Sequence, residues 1–487
     1  LSHEKPSDAP LEGGAALHRQ PRFAALASID NHDWTAARRL MPVAHSVEAV
    51  MRGSLLTATA WMMLGALPAQ AQTALATLQA EVKADYDARL KDLFVHFHRN
   101  PELSYLETAT AKRLAAELRA LGVEVTEGVG GTGIVGVIKN GAGPTVLVRA
   151  DMDGLPVEER SGLAYASTAR QKDTAGIEQP VMHACGHDTH ITALVGTARA
   201  MMARKDEWRG TLVLIGQPAE ERIGGAKKML DDGLYTRFPK PSVALAFHVN
   251  SLMPAGQLRV DEGIAFSSSD SVDILVRGVG AHGASPHKGV DPVLVASQIV
   301  VSLQSVVSRS INPLQPGVIT VGSIHGGTKH NIIPEEVRLQ LTVRSDDRAV
   351  RQQLLDGIAR VAKGVAESLG VPADKLPLVQ ASGESTPPTV NDPGAARQVL
   401  ALFERNFGPE RIYREERQGM GAEDFAYFVA PEHGVKGVYF NVGGTPPEDL
   451  PSAASHHSPL FKIAPEPTIR TGIEAMTIAA IDFLGKP

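Results

Sequence analysis

The sequence predicts an α/β protein: a sheet with flanking helices, interrupted by an inserted ferredoxin-like α+β domain. Two observations carry that prediction. Short, near-continuous Val, Leu and Ile runs recur in "TVLVRADMD" (145–153), "GTLVLIGQPAEE" (210–221) and "VALAFHVN" (243–250), as expected of strands buried on both faces of a sheet. Between about Ser268 and Gly383 the pattern changes to strand, helix, strand, strand, helix, strand, which is the ferredoxin-like order.

Composition sets the outer limits. The chain has 487 residues, 43% hydrophobic and 21% charged, enough for more than one folded domain. A formal net charge of -6 and the lack of any long Lys/Arg run give no basic field for nucleic acid, so a small molecule is the expected partner.

Taken in order, residues 1–50 show no sustained hydrophobic period and are expected to be disordered or upstream sequence. "MRGSLLTATAWMMLGALPAQAQ" (51–72) carries one Arg, an apolar run from Leu55 to Leu67, and small residues at Ala69 and Ala71. That order reads as a signal peptide over 51–71, cleaved after Ala71; the run is too short for a confident membrane span. The expectation is an exported protein, periplasmic or secreted, with no stable membrane span after cleavage. A first catalytic segment then covers 72–267. It opens with a helix from Glu81 that places Val82, Tyr86, Leu90, Leu93, Phe94 and Phe97 on one face and breaks at Pro101. A second helix runs from about Thr108 to Leu121 and stops at Gly122. The G-x-G-x-x-G at Gly131, Gly133 and Gly136 is no nucleotide motif, because Val135, Val137 and Ile138 continue as a strand where a helix is required. The inserted domain, 268–383, is a candidate lid or dimerisation module. The second catalytic segment, 384–487, resumes with a helix from about Asp392, the strand "GVYFNV" and a final helix.

In such sheets functional groups gather at the carboxyl ends of the strands. There the chain has Asp151 and Asp153, Glu220 and Glu221, and His248, with "VMHACGHDTH" (181–190) between two of the strands. Cys185 is the lone cysteine and cannot close an intrachain disulfide. It is then an inert thiol, a nucleophile or a metal ligand. A nucleophile needs a nearby base and has no use for a Glu pair and a distant His. Cys185, His187, Glu221 and His248, with His456 or His457, offer donors for two divalent ions. The mixed S, N and O set suits zinc best and admits manganese, cobalt or nickel. Coordination would also protect the thiol in an oxidising compartment. Singly, each piece has a plainer reading: a solvated Glu pair, a core histidine, a surface turn.

The set "FHRNPELSYLET", "RADMDGLP", "HACGHDTH", "GQPAEE", "FHVN", "GAHGASPHKGVDP", "HNIIPEE", "GAEDFAYF" and "HHSPLF", in that order, resembles the amidohydrolase branch of the dinuclear-metal aminoacylase/carboxypeptidase family, which includes hippurate hydrolase, N-acyl-amino-acid amidohydrolases and plant auxin-conjugate hydrolases. The likeness runs from about Leu90 to the C-terminus. It implies a zinc-peptidase-like mixed sheet with flanking helices and an inserted lid that commonly dimerises. It makes Cys185, His187, Glu221, His248 and His457 the ligands of two metals. Glu220 matches the general base, which takes a proton from the attacking water and delivers it to the leaving amine. His282, with His287 as its rival, matches a lid histidine that stabilises the oxyanion, often in the partner subunit's site. Asn331 and Arg344 match positions that hold the substrate's free carboxylate, a task suited to a guanidinium fork. Asp151 stands where peptidase branches begin an H-x-D motif with histidine, and Asp153 would orient a ligand. The implied reaction is hydrolysis of an N-acyl or N-aroyl amino acid to a carboxylic acid and a free amino acid. Alternatives are a metallo-carboxypeptidase or dipeptidase, a non-catalytic metal-retaining binding protein, and a cysteine hydrolase. Glu220 argues against the binding protein, since a structural site has no use for an unliganded base.

Overall fold

The computed structural model of the chain describes residues 69–486. The expectations for residues 1–50 and for the signal peptide fall outside that range, except that Ala69–Ala71 open a helix running Ala69–Asp85. A wider π turn, Tyr86–Leu90, joins it to the helix Lys91–Arg99. The six apolar residues read as one face are all buried. The π turn accommodates an extra residue per turn, so Tyr86 and Leu90 both meet the core.

The main sheet has seven strands in the order Glu124–Val129, Gly133–Asn140, Gly210–Gln217, Thr145–Asp151, Val243–Pro254, Lys436–Thr445, Leu258–Val260. Its central pairs are parallel and its outer pairs antiparallel. Successive side chains of a strand face opposite sides, and here both sides are dry. Leu212 and Leu214 join a core with Ile191 and Ile473, from the helices His187–Ala203 and Pro465–Phe483, while Val213 and Ile215 face Met229, Phe425 and Phe428. Double burial is why these strands read as unbroken apolar runs. The G-x-G-x-x-G stretch is a strand hairpin: a Cβ at Gly133 would lie 2.4 Å from the Val129 carbonyl oxygen, so the glycine serves a close backbone crossing.

A second sheet is wholly antiparallel, ordered Gly317–Gly326, Glu336–Ser345, Ser269–Arg277, Leu378–Thr386. The helices Pro292–Ser305 and Arg348–Ser368 share its core through Ile299, Leu303, Leu354 and Ile358, which meet Ile274 and Leu339. Each helix begins at an aspartate, Asp291 or Asp347, whose side chain accepts from first-turn amides, a standard start signal. Among the described residues, Pro292–Ser310 alone has the length and hydropathy of a membrane span, and it buries one face in this core.

One buried ion cluster fastens the N-terminal helices to the helix that opens at His187. His98 meets Asp188 at 2.7 Å and Glu159 at 3.1 Å, all largely shielded from water. Burial alone would lower the His98 pKa, but the two carboxylates outweigh it and raise it to about 9. A folded pKa above the unfolded value near 6.5 gives stability that is complete below about pH 6.5 and lost as pH rises through about 9. A His98→Gln variant is therefore expected to be less stable than the parent by up to about 3 kcal/mol at pH 6. Urea unfolding at pH 6 and pH 10 checks this: a gap that does not shrink at the higher pH refutes the linkage.

Candidate metal centre

Cys185, His187, Glu221, His248 and His457 are brought together from three loops, the first turn of a helix, and a strand. Cys185 Sγ lies 3.4 Å from His248 Nε2. His457 Nε2 lies 3.3 Å from Glu221 Oε2, and His187 Nε2 lies 3.8 Å from Glu221 Oε1. Gly186 makes the turn between Cys185 and His187 at φ 86°; a Cβ there would strike Val249 at 2.4 Å. Two groups of mutually close donors, Cys185 with His187 and His248, and Cys185 with Glu221 and His457, share the thiol.

Hydrogen bonds fix the histidine tautomers. A carbonyl only accepts, so His187 Nδ1 donates to Asp153 O at 2.8 Å and His248 Nδ1 donates to Val249 O at 2.6 Å. Each Nε2 then presents a lone pair to the cluster, as a metal ligand must. His187 Nε2 and Glu221 Oε1 are buried without a hydrogen-bond partner. Orphaned acceptors of this kind are costly and fit a cation.

The electrostatics point the same way. Burial, then Glu423 and Glu221, push the Glu220 carboxyl well above its usual range; burial also lifts Glu221, to about 8. The Cys185 thiol is raised by burial, then by Glu221 and Glu220. Burial alone would lower His187, yet Asp151, Asp153 and Glu221 raise it to about 10. The Glu220, Glu221, Cys185 and His187 shifts favour added positive charge, whereas burial lowers His248 and His457 and so favours the neutral ring that a ligand needs.

Asp153 holds the acidic loop. Its two oxygens accept from the backbone N–H of Glu220 and of Glu221, each at 3.0 Å, and from Ser104 Oγ at 2.6 Å. The loop is strained: Ala219 and Ile223, on either side of the Glu pair, have φ of 49° and 51°. Such left-handed residues gather at functional sites.

Sequence reasoning missed two supports. Arg149 is fully buried and bonds Asp151 at 2.6 Å, Glu423 at 2.7 Å and Gln217 at 2.8 Å. Asp151 accepts in turn from His190 Nδ1 at 2.5 Å, and His190 Nε2 accepts from the Val249 amide at 2.9 Å. With both nitrogens engaged, His190 has no lone pair to give, though it lies near Asp151 and His187. The signals were present in "RADMD" and "GAEDF", but nothing local couples them. Of the two C-terminal histidines, His456 Nε2 bonds Val249 O at 2.9 Å and His457 faces Glu221.

A cleft of about 800 Å³ opens on the cluster, lined by Cys185, Glu220, Glu221, His248 and His457, and by Arg344 from the second sheet. His282, His287 and Asn331 do not line it. Instead His282 and Asn331 are neighbours on the inserted sheet's flank, where Gly283 N donates to Asn331 O and the strand Ala281–His282 pairs with Ile332–Ile333.

A helix-flanked mixed sheet bearing S, N and O donors at the ends of its central strands, beside a ferredoxin-like insert, defines a metallohydrolase. The chain belongs to peptidase family M20/M25/M40, whose profile matches residues 147–481, and is a hydrolase of amide bonds. It is 37% identical over 393 residues to thermostable carboxypeptidase 2 of Saccharolobus solfataricus, spanning 80% of this chain and 94% of that one. It is 34% identical over 345 residues to hippurate hydrolase of Campylobacter jejuni, spanning 71% and 86%. Among solved structures, the YXEP protein of Bacillus subtilis, described as a dinuclear metal binding peptidase, matches with TM-score 0.67 at 27% identity, covering 82% of this chain and 99% of its own.

Proposed function

We propose that the chain hydrolyses N-acyl or N-aroyl amino acids, hippurate-like amides, with two divalent ions. The donor groups Cys185, His187 and His248, and Cys185, Glu221 and His457, would hold them. Zinc suits this donor set best, with manganese, cobalt or nickel compatible. The observation that carries the reading is Glu220. Its carboxylate lines the cleft 3.9 Å from His187 Nε2, beside a ligand glutamate, and has no hydrogen-bond donor among the described residues. A free carboxylate there is placed to take a proton from the water attacking the scissile carbonyl and return it to the leaving nitrogen. The chemistry two bound ions supply is polarisation of that carbonyl and acidification of water. Arg344 is assigned to the amino acid's carboxylate. Its Nε donates to Thr342 Oγ1 at 3.1 Å, and its other nitrogens have no hydrogen-bond partner among the described residues.

A second reading, cleavage of the last peptide bond of a short peptide, is favoured by the likeness to a carboxypeptidase. The same Arg344 would hold a peptide's terminal carboxylate. Metal analysis and turnover, with and without chelator, on hippurate, N-acetyl amino acids and dipeptides separate the readings. The expected result is about two ions per chain, hippurate cleavage, and its loss on chelation. Cleavage of peptides alone selects the second reading, and metal retention with no hydrolysis selects a binding protein.

A further inference from the structure

We propose that Glu107 is a positioning residue that sets the conformation of the loop carrying Glu220 and Glu221. The inference rests on the roles given to those two residues above.

Glu107 precedes the helix Thr108–Ala120 and is fully buried. One oxygen, Oε1, accepts from two backbone amides, Ala219 at 2.7 Å and Tyr105 at 2.9 Å; the other, Oε2, accepts from the Thr132 hydroxyl. Both of those amides belong to left-handed residues, Ala219 at φ 49° and Tyr105 at φ 68°. Among the described residues only two other non-glycine residues have positive φ, Ile223 and His457, and both flank the same cluster. Each such conformation costs on the order of 1–2 kcal/mol, so something must hold it. At Ala219 the carbonyl accepts from the Gly224 and Gly225 amides at 3.4 and 3.2 Å, and the amide, on the side of the Glu pair's own N–H groups, is held by Glu107. The next two amides, of Glu220 and Glu221, are held by the two oxygens of Asp153. Three consecutive N–H groups thus end on two buried carboxylates, and the peptide planes that aim both glutamates are fixed from behind.

Without the Glu107 oxygen, Ala219 relaxes toward the ordinary right-handed region and the plane between residues 219 and 220 turns. Displacements of about 1 Å in a catalytic group cost on the order of 10²-fold in rate. Glutamine separates geometry from charge. In Glu107→Gln, Oε1 still accepts both amides and the new amide nitrogen donates to the Thr132 hydroxyl, which can accept. Glu107→Asp keeps the charge but withdraws it by one methylene from Ala219.

The experiment compares Glu107→Ala, Glu107→Asp and Glu107→Gln in the full chain for kcat, KM, zinc affinity, thermal midpoint and hydrogen exchange of the Ala219 amide in metal-free protein. Ala and Asp are expected to lower kcat about 10²-fold, change KM less than about threefold, weaken zinc binding about 10-fold, and speed Ala219 exchange. Gln should stay within about fivefold of the parent in every readout. A Gln variant as impaired as Ala, or an Ala or Asp variant with a lowered midpoint but parental kcat, zinc affinity and exchange, overturns the proposal. If the Ala variant does not fold, the Asp and Gln pair decides. If the parent binds zinc without cleaving any amide, the proposed function fails while zinc affinity and Ala219 exchange still judge Glu107.

Discussion

Glu220→Gln is expected to lower kcat by about 10²–10⁴-fold, the usual contribution of a general acid–base group, with metal content unchanged. The reason is a division of labour between neighbours. Glu221 lies within 3.3 Å of His457 Nε2 and shares a donor group with Cys185, whereas Glu220 belongs to neither of the groups built on the thiol. Its amide, not its carboxylate, is tied down by Asp153. Glutamine has nearly the same shape and keeps that backbone bond, so the fold and the ligands stay in place while the proton carrier is lost. Burial, Glu423 and Glu221 drive the Glu220 carboxyl upward, which alone would leave it protonated and unable to act as a base at neutral pH. Positive charge at the neighbouring ligands opposes that shift, so the pair works only as part of a charged cluster. Parallel kinetics and metal analysis of Glu220→Gln and Glu221→Gln decide the matter. The second variant is expected to lose metal as well as turnover. Loss of metal in Glu220→Gln, or turnover within about tenfold of the parent, would reverse the assignment.

What the sequence made legible was chiefly what repeats locally. Strand runs such as Val146–Val148 and Leu212–Ile215 announced a sheet buried on both faces because every residue in them is apolar. The helices from Pro292 and Arg348 were legible as apolar periods, and the structure adds that Asp291 and Asp347 cap their first turns. The donors were legible as chemistry: Cys-x-His, a Glu pair and a His pair are uncommon together. Burial and partners at long range were not. His187 and His190 belong to one "HDTH" stretch and look alike in sequence, yet one presents a bare Nε2 and the other spends both nitrogens on Asp151 and Val249. Glu107, alone between Leu106 and Thr108, has nothing nearby to announce that it reaches Ala219, 112 residues on. His282 and Asn331 adjoin each other outside this chain's own cleft, a placement compatible with the role in a partner subunit's site that the resemblance implies for His282.

Arg149→Met is expected to destabilise the protein by about 3–5 kcal/mol, the range for removing one partner of a buried charge cluster. Arg149 lies within the strand Thr145–Asp151 with no exposed side-chain surface, facing one carboxylate of its own strand and two from far along the chain: Asp151, Glu423, and Asp424 at 3.5 Å. Burial alone would raise the Asp151 pKa; Arg149, with His187 and His190, holds it well below the usual carboxylate range. Asp424 is driven the other way by burial and Glu423, with Arg149 opposing. The guanidinium is thus the cation that keeps Asp151 ionised, and its N–H groups serve Gln217, Asp151, Glu423 and Tyr439 together. Methionine fills similar volume but leaves Asp151 and Glu423 facing each other without a counter-charge. Lysine restores the charge without the fork, so Arg149→Lys should recover only part of the loss. The damage should also travel. Asp151 orients His190, His190 holds the Val249 amide, and Val249 follows His248 in the same strand, so zinc binding is expected to weaken in both variants even at temperatures where they remain folded. Denaturant unfolding beside zinc titration tests both parts. A loss below about 1 kcal/mol for Arg149→Met would mean that the carboxylates are protonated or hydrated in place, and that the cluster is not held by charge.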